Sequence, residues 1–77
     1  MEQSVIQVSQ DILSGMPVFR GSRVPIKNLF DYLENGDSIE NFLDGFPSVQ
    51  RKQVIEVLEM AERSLIPSEF LHEDIGR

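Results

Sequence analysis

The sequence predicts a mainly α-helical domain, with three helices behind a short N-terminal β-strand and a β-hairpin. Three observations predict it. Apolar residues alternate only briefly near the start, at Ile6 and Val8, as in a short strand. Two apolar runs then flank Gly21-Ser22, as in a hairpin. From Ile26 onward the apolar spacing becomes i, i+3, i+4, i+7, the period of a helix with one buried face.

The strand is expected within Ser4–Ser9, followed by one helical turn over Asp11–Ser14 that Gly15 ends. In Pro17-Val18-Phe19-Arg20-Gly21-Ser22-Arg23-Val24-Pro25-Ile26, glycine at the first central position suits a type II′ turn. The two prolines keep the hairpin short, because they cannot donate to a ladder. Arg20 and Arg23 then face each other across the strands, where like charges repel. Such a tip either aims at an anion or is simply well solvated.

The first helix uses Ile26, Leu29, Phe30 and Leu33, and Asn35-Gly36 ends it with a left-handed cap. Asp37-Ser38 starts the second, whose inner face is Ile39, Phe42 and Leu43, with Gly45 closing it. Ser48 is expected to cap the third, where Val54, Leu58, Ala61 and Leu65 share a face that Val57 and Ile55 widen; Pro67 stops it. Residues 1–66 thus form the domain. Residues 67–77 form a tail with Phe70, Leu71 and Ile75 among acids, either a short amphipathic helix or a segment that orders on binding a partner.

Seventy-seven residues make one domain. Chains this short are often stabilised by disulfides, metals or self-association. There is no cysteine and one histidine, His72, so self-association remains and a homodimer is expected. No stretch reaches the roughly 18 apolar residues of a membrane helix. The start of the chain lacks a basic segment followed by an apolar one. A cytoplasmic location without membrane attachment is the expectation. No cofactor or metal is expected either. Catalysis needs convergent groups, and His72, Glu73 and Asp74 are adjacent residues that cannot share a helical face. The expectation is a binding protein, not an enzyme.

The net charge of −6 opposes general affinity for nucleic acid, but the charge is segregated. Residues 12–30 hold Arg20, Arg23 and Lys27 and no acid; residues 46–53 hold Arg51 and Lys52 and no acid. Between them, Asp31, Glu34, Asp37, Glu40 and Asp44 stand without a base. The second and third helices have the outline of a helix-turn-helix, in which the start of the second member meets base edges. Here that start is Ser48, Gln50, Arg51, Lys52 and Gln53, and Arg, Lys and Gln are the side chains that read guanine and adenine. The hairpin would be a wing beside it, giving a winged helix-turn-helix. At about 100° per residue, Gln50 and Arg51 fall toward the core, while Lys52, Glu56, Glu59 and Arg63 face outward. The two glutamates oppose deep insertion into a groove, so only the first helical turn is placed to touch DNA.

The run from Gly15 to Ile26 resembles the signature of the domain of unknown function 433 family: glycine, any residue, proline, two apolar residues, Arg-Gly-(Thr/Ser)-Arg, apolar, proline, apolar. The spacing to Gly36, to Ser38-Ile39-Glu40 and to Phe46-Pro47 fits as well, over roughly residues 5–65. That family resembles VapB-like antitoxins with a winged helix-turn-helix fold. The resemblance implies a homodimer that binds double-stranded DNA at its own promoter and neutralises a PIN-like ribonuclease toxin. Met16 stands where the family often has lysine, which removes a base near the wing. The tail lies outside the match, so partner contact through Phe70, Leu71 and Ile75 follows by analogy with antitoxins in general. The alternative is a dimeric protein-interaction adaptor that does not bind DNA.

Overall fold

The computed structural model describes residues 4–71 and is mainly helical. Strand β1 (Ile6–Gln7) pairs antiparallel with β2 (Val18–Phe19), placing Ile6 opposite Phe19 and Gln7 opposite Val18. Helices α1 (Ile26–Glu34), α2 (Ile39–Gly45) and α3 (Arg51–Leu65) follow, and then the four-residue α4 (Ser68–Leu71).

The connection from β1 to β2 differs from the expected right-handed turn. It contains a 3-10 turn at Leu13–Gly15 in which Leu13, Ser14 and Gly15 have φ of 50°, 56° and 94°. Glycine takes the left-handed region freely. Leu13 and Ser14 take it at about 1–2 kcal/mol each.

The hairpin forms, with a different turn. Val18 bridges Pro25, and the Phe19 N–H donates to the Val24 carbonyl at 3.0 Å. The tight turn spans Phe19–Ser22, closed by the Ser22 N–H on the Phe19 carbonyl at 3.0 Å, and Gly21 has φ 82°. Glycine therefore occupies the third position of a type II turn, not the second of a II′ turn. The Ser22 hydroxyl decides this register: it donates to the Phe19 carbonyl at 2.8 Å and accepts from the Val24 N–H at 3.0 Å. Residues 20–23 thus form a loop, and Arg20 and Arg23 are not a cross-strand pair.

The core joins Val5, Phe19, Leu29, Phe42, Val49, Val54 and Val57. Phe42 is its centre, with ring centroids 5.8 Å from Phe19, 5.5 Å from Tyr32 and 5.0 Å from Phe46. The expected inner faces of α1 and α2 are in place: Leu29 and Phe42 are fully buried, and Ile26, Phe30, Leu33, Ile39 and Leu43 pack around them. Gly36, at φ 89°, ends α1, and the Ser38 hydroxyl accepts from the Asn41 N–H at 3.0 Å to cap α2.

Two expectations about α3 are corrected. Ser48 is not its cap. Val49 is drawn into the core, and its N–H closes a turn on the Phe46 carbonyl at 3.0 Å. The helix therefore starts later, with Gln50 as N-cap in a capping box with Gln53. At the other end, Leu65 is 80% exposed rather than buried. The cause is length. At about 1.5 Å per residue, α3 outruns both α1 and α2, so its last turns have no neighbour to pack against among the described residues.

Candidate nucleic-acid interface

The loop 20–23 lies against the first turn of α3. The Gln53 side-chain N–H donates to the Arg20 carbonyl at 3.0 Å, while its oxygen accepts from the Gln50 N–H at 2.9 Å. One amide thus caps the helix and ties the loop to it, bringing the two acid-free stretches together. The first turn of α3 carries no acid, and its unpaired N–H groups and dipole favour an anion.

The basic side chains around this junction differ in what they do. Arg20 is half-buried and turned back on the N-terminal segment, donating to the carbonyls of Ser4 and Ile6, while its own N–H reaches the Val5 carbonyl at 2.8 Å. Beside it, the Gly21 N–H donates to the Gln7 side chain at 3.3 Å. Arg20 therefore holds β1 to the loop. Lys27, on the first turn of α1, pairs with Asp31 at 2.9 Å, and that hydrogen bond raises its pKa above the ordinary value. Arg51 is exposed and pairs with Glu40 of α2 at 2.6 Å. The hydrogen bond from Arg51 holds the Glu40 carboxyl below its ordinary pKa, with a backbone hydrogen bond acting in the same direction.

Arg23 and Lys52 are exposed, and no hydrogen bond or ion pair engages either one among the described residues. Ser48 and Gln50 are exposed at the start of α3, Gln50 as its N-cap. Gln53 is half-buried behind the junction. Lys52, Glu56, Glu59 and Arg63 are exposed, as the helical count places them. Arg51 is exposed instead of facing the core, because at the first helical position its long side chain extends to Glu40.

Of the three tail residues expected to meet a partner, Phe70 is described and is 48% exposed on α4. The side chain of Leu71, and Ile75 altogether, lie outside the described residues. Sequence reasoning missed the Glu40 pairing, for which spacing carries no signal, since the two residues meet only through the packing of α2 on α3. It also missed the exposed apolar end of α3, whose signal was a stripe longer than any helix available to cover it. No described helix is long and apolar enough to cross a membrane.

Comparison with known proteins places this sequence in a family. The model of the family described as protein of unknown function, DUF433, matches residues 6–61. Uncharacterized protein y4eO of Sinorhizobium fredii (strain NBRC 101917 / NGR234) is 35% identical over 52 residues, which is 68% of this chain and 24% of that protein. The chain thus spans about a quarter of the relative it matches. No solved structure gives a significant match.

Proposed function

The chain belongs to the DUF433 family, and we propose that it is a DNA-binding, antitoxin-like regulator with a winged helix-turn-helix interface. It binds double-stranded DNA at its own promoter as a homodimer in the cytoplasm, and it neutralises a PIN-like toxin. The observation that carries the DNA reading is the Gln53–Arg20 hydrogen bond, since it unites the two acid-free stretches that hold five of the seven basic residues of an acidic chain. Arg23 and Lys52 are the contacting charges. Arg51 joins them once DNA competes with Glu40, and Gln50 and Ser48 border the helix start. Arg20 and Gln53 support the surface from behind, and Lys27 contributes from α1. The remote acids weaken binding without preventing it, because screening at physiological salt confines Coulomb attraction to about 8 Å.

The test is fluorescence anisotropy with the gene's upstream DNA against scrambled DNA at several salt concentrations. Arg23→Ala should weaken binding to all sequences and lower the salt slope by about 0.9, the value for one phosphate no longer neutralised. Lys52→Ala should relax preference for the upstream site, at a cost of about 1–3 kcal/mol. Equal binding to both DNAs, with the variants indistinguishable from wild type, would overturn the reading. A dimeric protein-interaction adaptor would then be the better account. That second reading is favoured by exposed apolar side chains at Val8, Leu13 and Met16 beside the strands, and at Leu65 and Phe70. Light scattering tests the homodimer in both readings: a species that stays at 8.8 kDa at high micromolar concentration refutes it.

A further inference from the structure

Helix α3 buries one side and leaves the seam beside it uncovered among the described residues. Val54 and Val57 enter the core, with Ala61 half-buried below them. Arg51, Ile55, Leu58, Glu62 and Leu65 follow at spacings of 4, 3, 4 and 3 residues. That is the d-a-d-a-d order of a coiled-coil seam. Leu58 is shared with the core, and the other four are exposed. Along the helix the first four run basic, apolar, apolar, acidic.

We infer that a second copy of this chain docks on the seam, with its α3 antiparallel to the first and Arg51 of each copy opposite Glu62 of the other. Charge complementarity selects both the occupant and the direction. Turned end for end, the order becomes acidic, apolar, apolar, basic, so the seam is complementary to itself, as a two-fold interface requires. Reversing one helix sets each a position against a d position. Ile55 then meets Leu58 in two central layers, and Arg51 meets Glu62 in the layer at each end. A parallel pair would set Glu62 on Glu62 and Arg51 on Arg51, where like charges repel. Sliding the antiparallel pair by one heptad would put Glu62 on Leu58 or Arg51 on Ile55, burying a charge against an apolar side chain. The Arg51–Glu40 pair does not block the contact. It is exposed on both sides, such pairs are weak, and a guanidinium has donors enough for two carboxylates. On the outer flank, Lys52 of each copy stands nearest Glu59 of the other, which adds attraction without covering the lysine. Leu65 projects past the end layer over the start of the second copy's α3. The inference rests on the homodimer of the proposed function and assigns its interface; Arg23 and Lys52 stay open to DNA.

Analytical ultracentrifugation of the full chain over a concentration series tests it. Glu62→Lys sets lysine against Arg51, and Arg51→Glu sets glutamate against Glu62. Each alone should weaken self-association at least about tenfold. Mixed together, the two variants complement each other at both end layers. Fluorescence energy transfer between them should show mixed association at least about tenfold tighter than either variant shows with itself. Leu65→Ser, which changes no charge, should weaken the dimer about tenfold or more. Glu34→Gln, on the exposed end of α1, should leave it unchanged. Circular dichroism checks that each variant is folded. Glu62→Lys and Leu65→Ser alter exposed residues only, so they carry the test even if Arg51→Glu, which also sets two acids together at Glu40, unfolds. A dimer undiminished by Glu62→Lys or by Leu65→Ser would overturn the seam and leave the proposed function standing, with its homodimer on another surface. Mixed association no tighter than self-association would overturn the antiparallel register, and equal weakening by Glu34→Gln would reduce the effect to net charge; either sinks the inference. A wild type that stays at 8.8 kDa at high micromolar concentration would overturn the seam and the homodimer together. The DNA reading would then be decided separately, by the Arg23 and Lys52 variants.

Discussion

Gln53 on the first turn of α3 donates to the Arg20 carbonyl at 3.0 Å, thirty-three residues back along the chain. This bond relates the wing-like loop to the helix start, and its donor shares an amide with the oxygen that caps α3. Gln53→Ala should remove both hydrogen bonds and lower stability by about 1–3 kcal/mol in urea denaturation. Gln53→Glu keeps the capping oxygen without the donor, so its stability should fall between alanine and wild type. An alanine variant as stable as wild type would mean the junction contributes nothing.

Gly21 has φ 82°, and a Cβ added there meets nothing within 4 Å. The cost of a side chain is therefore backbone strain alone. Gly21→Ala should lose about 1–2 kcal/mol, and Gly21→Val, which is β-branched, at least as much. A D-alanine at the same position, introduced by chemical synthesis, should lose nothing. Thermal melting followed by circular dichroism distinguishes them, since about 1 kcal/mol shifts Tm by roughly 4–8 °C in a domain of this size. Equal loss for L- and D-alanine would point to a steric cause instead.

Ser14 stands at φ 56° with no glycine freedom. Ser14→Gly should relieve about 1–2 kcal/mol of strain against about 0.5–1 kcal/mol of added unfolded-state entropy, a net gain of about 0.5–1 kcal/mol. A lower Tm for this variant would show that the left-handed turn is not strained at Ser14.

The Arg51–Glu40 pair predicts a pH effect of definite sign. The hydrogen bond from Arg51 holds the Glu40 carboxyl below its ordinary pKa in the folded protein, so it is more acidic there than in the unfolded chain. Its contribution to stability is complete above the unfolded pKa and is lost as pH falls through the folded one. NMR titration of the side-chain carboxyls should show the Glu40 pKa rising in Arg51→Ala. No change would remove the ion pair as the main cause.

The same pair predicts a gain in DNA affinity. Glu40 competes with phosphate for Arg51, so Glu40→Gln should tighten DNA binding a few-fold and steepen its salt dependence. Unaltered affinity and slope would mean that Arg51 does not contact DNA.

The local elements were legible because their causes are local. Helical periodicity located α1, α2 and α3, Gly36 and Ser38 marked the break between the first two, and the Arg-Gly-Ser-Arg run marked the hairpin. Local chemistry also misled where the core competed with it. Burial of Val49 displaced the cap of α3 from Ser48 to Gln50, and the Ser22 hydroxyl moved Gly21 to the third position of its turn. The roles of the basic residues were decided only by tertiary structure. Arg20 is occupied by the carbonyls of Ser4 and Ile6, Arg51 by Glu40, and the Gln53 amide by the Arg20 carbonyl. Charge and spacing state which groups can bind. Which are already taken depends on partners eleven to thirty-three residues away, brought within reach by packing around Phe42. Likewise, the spacing in α3 showed one widened apolar face, and only the lengths of α1 and α2 determined that its far end, at Leu65, stays uncovered among the described residues.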